Sequence, residues 1–229
     1  MVSSLLRLRH PPCLYRQLVL GLPLSLAMFM GLFSSHLVAE QVLPLSAASD
    51  IHWRVYRSGP MAHLGHNHVI RATNIRGSVT LRDATQLSEF TLEIPLQRLE
   101  VDPPALRRRY GREFSSQLSS EDIAGTRANM LGERQLQASR FPTIRLTGKA
   151  RLSDVSAAQK VLIAARLHLR GRIIPLRLPA TVTVSSGSVR ASGSFSLSHA
   201  QLGLEPFSVA LGALRVGERI DFSFDIRTR

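Results

Sequence analysis

The chain has 229 residues, 44% hydrophobic and 20% charged, with 29 Lys plus Arg against 16 Asp plus Glu. That apolar share is too high for a disordered polymer, and the length is enough for one stable core. A single cysteine excludes a disulfide framework and any Cys-based zinc or iron–sulfur site, while the net charge of +13 leaves nucleic acid, an anionic membrane surface or a solvated basic face to be told apart.

Residues 1–39 read as a secretory signal. Arg7, Arg9 and Arg16 open the chain with no acidic residue, and Leu18 to Phe33 is a sixteen-residue apolar run interrupted by Pro23. A membrane span needs roughly 20 such residues, so an uncleaved anchor is the less favoured case. Polar Ser34-Ser35-His36 leads to Leu37-Val38-Ala39, with a cut after Ala47 or Ala48 as the alternative. Cys13 precedes the apolar run, so it is not a lipid-modified cysteine of a mature chain. Residues 40–50 are then a short lead and 51–229 one domain, expected in the periplasm. Residues 40–229 together keep 26 basic and 16 acidic residues, or +10, and no cysteine.

From there, alternation with period two dominates. Trp53 and Val55 suggest a first strand, and Ile75, Gly77, Val79 and Leu81 a later one, followed by Phe90, Leu92, Ile94 and Leu96. Residues 103–138 break the pattern. They begin with Pro103-Pro104 and three arginines, Arg107 to Arg109, and Ser119 stands at capping-box spacing from Asp122. That spacing predicts a helix over 120–131 ended by Gly132. Alternation resumes over Thr143–Leu152, Val161–Leu169, Ile174–Val184 after a turn at Gly171, Val189–Leu197 and Ile220–Ile226. Strands with one wet and one dry face imply an antiparallel sheet, and about eight of them imply an all-β sandwich or closed barrel with one short helical insertion.

The densest chemical signal is His63-Leu64-Gly65-His66-Asn67-His68. On a strand starting near 66, His66 and His68 share a face with Ile70 and Ala72. Three imidazoles can bind zinc or copper, so His63, His66 and His68 form a candidate metal site. The preferred reading is a hydrogen-bonded histidine pair at a barrel rim with Asn67 outside, because no Asp or Glu lies between Asp50 and Asp83. No pair of acids stands out as general acid and base, Ser185-Ser186-Gly187 and Ser194-Phe195-Ser196 make no nucleophile elbow, and no glycine-rich phosphate loop is present. Arg76, Arg82, Arg145, Lys149, Arg151, Arg166 and Arg190 fall on the polar parity of strands. They describe an outer face, either simply solvated or drawn to anionic headgroups, and nucleic acid is not expected as a partner.

Four segments resemble the YceI-like family, which has a lipocalin-like barrel and binds polyisoprenoid lipids. They are Ser58 to Val69 with Asn74 to Val79, Asn129-Met130-Leu131 with Ser139 to Ile144, Leu167 to Gly171 with Ile174-Pro175-Leu176, and Phe195 to Gly203 with Val216 to Ile220. Together they reach over nearly all of residues 50–229. Two features depart from the family. His199-Ala200-Gln201-Leu202-Gly203 lacks the arginine and acid that often precede its closing Phe-Gly step, and the 97–118 segment is unusually basic.

The resemblance implies a non-enzymatic carrier of an isoprenoid lipid or quinone, with no required cofactor. Shared apolar parity puts Trp53, Phe90, Leu92, Ile94, Ile144, Leu146, Phe195, Phe222 and Phe224 inside the barrel, with Ile70, His66 and His68 on the same wall. Aromatics at 6% and several inward Gly and Ala predict a loosely filled interior. The alternatives are an exported metal-binding protein using the His63/His66/His68 cluster and an accessory partner of a membrane complex. Whether the chain forms a homodimer is left open.

Overall fold

The computed structural model describes residues 40–83, 86–152 and 157–229. The secretory signal expected over 1–39 lies outside the described residues. The strands are β1 (Gln41–Pro44), β2 (Asp50–Ser58), β3 (His68–Ala72), β4 (Arg76–Asp83), β5 (Gln86–Pro95), β6 (Leu99–Val101), β7 (Thr143–Lys149), β8 (Gln159–Leu169), β9 (Arg172–Ser185), β10 (Ser188–Ser198), β11 (Ser208–Val209) and β12 (Leu214–Arg227). They form one antiparallel sheet in the order β1-β4-β5-β7-β8-β9-β10-β12-β2-β3-β6, with β11 paired to β12. The sheet curls until Leu45, just past β1, bridges Thr228 at the end of β12.

Eight strands have seven or more residues, which are the ones the alternation marks out; β1, β3, β6 and β11 are the short additions. Period two works here because the sheet has one dry side. In β8, Ile163, Ala165 and Leu169 are buried while Leu162, Ala164 and Arg166 are exposed. The stretch expected as a lead is part of the sheet: β1 pairs with β4, and Leu43 and Leu45 are buried. A cut after Ala47 or Ala48 would remove that strand.

The insertion folds into more than the single expected helix. α1 (Pro104–Arg109) starts on a proline, which needs no amide partner in the first turn. α2 (Ser120–Leu131) has the complete Ser119–Asp122 capping box and ends at Gly132, as its spacing predicts. The two helices do different jobs. Leu106 of α1 and Phe114 after it pack on Val69, with Tyr56 and Tyr110, in a small core on the outer side of β2 and β3. α2 is tied to the chain around β6 by Arg127, which donates to the carbonyls of Leu99 and Gln97, and it crosses one end of the barrel.

The β9–β10 ladder ends at Thr181 opposite Ser192, although β9 stays paired with β8 along its length. Pro175 and Pro179 occupy the remainder of β9. Having no N–H to donate, proline suits a strand segment whose second edge is unpaired.

Candidate functional site

The inner face of the sheet encloses a cavity of about 400 Å³. All twelve residues expected to line an interior do line it: Trp53, His66, His68, Ile70, Phe90, Leu92, Ile94, Ile144, Leu146, Phe195, Phe222 and Phe224. One wall is an aromatic ladder set by register, since Trp53 lies opposite Phe222 and Phe222 opposite Phe195. The Phe195 and Phe222 rings stack with centroids 5.1 Å apart and planes at 10°, and Trp53 tilts against Phe222 at 6.2 Å.

The inward glycines do not leave simple holes. An added Cβ at Gly148 would meet the Phe90 ring at 2.4 Å, and one at Gly193 would meet Pro179 O at 2.4 Å and Phe224 Cζ at 2.8 Å. Each glycine is therefore covered by the ring of its cross-strand partner. Leu45, Val182 and Val189 line the interior toward β1, and Thr126, Asn129 and Met130 of α2 border it at the other end.

The polar groups gather at the α2 end. His68 donates from Nδ1 to Asp102 Oδ2 at 2.6 Å, leaving Nε2 turned to the cavity side, 3.5 Å from Thr126 Oγ1. Asp102 is fully buried and also accepts from the Val69 N–H at 2.9 Å and from Arg107 Nη1 at 2.7 Å. Burial pushes its carboxyl up, but the bonds from His68, Val69 and Arg107 outweigh burial and hold it below the usual carboxylate range. His66 meets His68 edge-on at 6.4 Å, and its Nδ1 is buried with no hydrogen-bond partner. Arg57, Arg215 and His199 also line the cavity; His199 donates from Nδ1 to the Glu218 carbonyl at 3.0 Å.

The His63/His66/His68 trio is not gathered into a metal site. His63 is exposed on the short turn Ala62–Leu64, and His68 is committed to Asp102. Among the described residues no group of three or more His, Cys, Asp or Glu could hold a metal ion. Asn67 is outside, as expected: it accepts from the Arg57 N–H and donates to the Glu113 carbonyl, both at 3.0 Å.

The outer face carries the charges foreseen from parity, many of them in cross-strand pairs. Arg190 and Arg227 grip Asp225 at 2.8 and 2.7 Å, Arg190 chief among them in holding that carboxyl down to about 2. Beside them, Asp221 is buried under Ser196, Tyr56 and Arg219, each at 2.6 Å. Burial and then this bond push the Tyr56 hydroxyl up to about 12. Asp102, Arg107, His199 and Asp221 were not singled out for these roles from sequence; all four are buried polar groups, and each has at least one partner distant in the chain.

Comparison with known proteins gives one family. A family model described as the YceI-like domain matches residues 46–228. Among solved structures, a polyisoprenoid binding domain from Saccharophagus degradans, implicated in plant cell wall breakdown, superposes with a TM-score of 0.55 at 12% identity. It covers 82% of this chain and 99% of that one. BcnA of Burkholderia cenocepacia does so with a TM-score of 0.55 at 9% identity, covering 81% and 99%. At such identities the likeness concerns the fold, a lipocalin-like curled antiparallel sheet. The sequence finds no significant match among curated proteins.

Proposed function

The chain belongs to the YceI-like domain family, and from that premise we propose that it is a non-enzymatic carrier of an isoprenoid lipid or isoprenoid quinone, held in the barrel cavity and working in the periplasm. The observation that carries this reading is the cavity itself: an aliphatic and aromatic interior whose ionisable side chains, among the described residues, gather at the α2 end. Such a gradient suits an amphiphile with an apolar chain and one polar head.

Burying one CH₂ contributes about 0.8 kcal/mol, so each five-carbon unit adds roughly 3–4 kcal/mol before ordering costs. No reacting group is needed to reach useful affinity. At the polar end, Asp102 fixes the His68 ring with its Nδ1–H engaged and presents Nε2 as an acceptor for a head-group hydroxyl. His66 stands beside it, ready to offer an N–H to a carbonyl.

The same end bears the apolar tips a peripheral carrier would use to meet a membrane. Leu64 is 57% exposed and Leu211 fully exposed, on turns linked by the Met61 N–H to Ala213 O bond. Arg57 and Arg215 lie beside them, suited to anionic headgroups. Lipid analysis by mass spectrometry of the full chain, purified from its native membrane fraction, tests the proposal. A stoichiometric isoprenoid lipid or quinone is expected, and a consistently empty cavity overturns it.

A further inference from the structure

A second pocket lies beyond Leu202, whose side chain lines both it and the barrel cavity. Its eight lining residues are Gln137, Arg140, Phe141, Arg170, Gly171, Arg172, Leu202 and Gly203, with three arginines and no acid among them. Arg190 and Arg227 on the outer face, by contrast, share the carboxylate of Asp225. Among the described residues Arg140, Arg170 and Arg172 take part in no ion pair.

Two observations show that the guanidiniums of Arg172 and Arg140, although these residues are exposed, lie against neighbouring groups. An added Cβ at Gly203, whose φ is +67°, would fall 2.0 Å from Arg172 Nη1, so the missing side chain is the space in which Arg172 lies. Arg140 is placed over the Phe141 ring at 5.2 Å, and that ring packs against Gly171. Arg170 is also held at φ 51°, in the left-handed region, at the first central position of the β8–β9 hairpin. Asn or Gly is the low-strain choice at that position of such a turn. Ser186 takes the same conformation in the β9–β10 hairpin, so what distinguishes Arg170 is the pocket it shares with Arg140 and Arg172.

We propose that Arg140, Arg170 and Arg172 form an anion site for a phosphate or diphosphate group. Forked guanidinium donors match phosphate oxygens, and convergent positive charge without a carboxylate favours a multiply charged anion. Where the phosphate is the head of an isoprenoid, this site rests on the proposed function, since the chain would then occupy the cavity beyond Leu202.

The test titrates the full chain with inorganic diphosphate by calorimetry. In parallel, a C20 prenyl diphosphate and the C20 prenol are titrated against the fluorescence of Trp53, the sole tryptophan. Arg170→Asn is the informative variant, because it relieves the turn and leaves the fold at least as stable. Together with Arg172→Gln it is expected to weaken diphosphate binding by at least about tenfold, while Arg166→Gln on the outer wall changes nothing. A prenyl diphosphate that binds at least about tenfold tighter than both prenol and inorganic diphosphate, and falls to the prenol level in the double variant, identifies a lipid head as the source. Equal binding of the two diphosphates identifies a free anion. If neither diphosphate binds better than prenol, or the double variant binds as the parent does, the anion site is refuted. Prenol binding surviving that result leaves the carrier reading standing, and diphosphate binding without prenol binding removes the carrier reading alone.

Discussion

Asp102→Ala should be among the most damaging single changes in the barrel. The carboxylate is 0% exposed and receives His68 Nδ1, the Val69 N–H and Arg107 Nη1; the Arg107 side chain is itself only 9% exposed. Removing one member of a buried ion pair costs about 3–5 kcal/mol, because the other charge stays desolvated. Arg107 keeps the carbonyls of Asn67 and Ser116, which places the cost toward the lower end, while the buried Val69 N–H loses its acceptor and adds about 1 kcal/mol or more. A total near 4 kcal/mol, at about 2–4 °C per kcal/mol for a domain of this size, lowers Tm by roughly 8–16 °C. Calorimetry or near-UV circular dichroism reads it directly. Arg107→Met added to Asp102→Ala removes the stranded cation and should restore at least about half of the loss. A Tm drop under about 3 °C for the single variant, or a strictly additive double variant, would show that the network is not the buried electrostatic unit described.

Three smaller effects follow from the same geometry. Gly193→Ala places a methyl 2.4 Å from Pro179 O and 2.8 Å from Phe224 Cζ, so it should cost about 1–3 kcal/mol in a denaturant titration, whereas Gly125→Ala in α2, with nothing within 4 Å, should gain about 0.5–1 kcal/mol. Leu211→Asp should reduce co-sedimentation with anionic vesicles and leave Tm within about 2 °C, since that side chain packs on nothing it could lose. Asp102, Asp221 and Asp225 all have carboxyls held below their unfolded range, so the stability they contribute is complete above about pH 4 and is lost as pH falls toward 2. Thermal melts should therefore be flat from pH 7 to 5 and decline steeply below 4, and a higher Tm at pH 3 than at pH 6 would contradict the assignment.

What the sequence could and could not disclose follows from the range of each interaction. Which side of the sheet a residue faces is a local property, and period two carries it. For that reason Trp53, Phe195, Phe222 and Phe224 could be placed inside from their spacing alone. The partner of His68 is not local. It arrives from 34 residues away because β6 docks on β3 with Val101 opposite Ile70, which swings Asp102 under the histidine. Arg107 is likewise one of three consecutive arginines, and only the turn of α1 decides that it is buried while Arg108 and Arg109 stay exposed.

The small inward residues sharpen the point about the cavity. Their sequence meaning was open volume, yet Gly148 and Gly193 are covered by Phe90 and Phe224. A glycine in the wall does not add space where it stands; it lets the ring on the neighbouring strand recline against the sheet instead of standing in the lumen. Filling either glycine should therefore shrink the cavity from the opposite strand. A methyl at Gly193 would raise Phe224 toward the interior, so the loss of stability and the loss of an isoprenoid's fit should appear together. A ligand affinity unchanged in that variant would mean the rings do not set the width of the site.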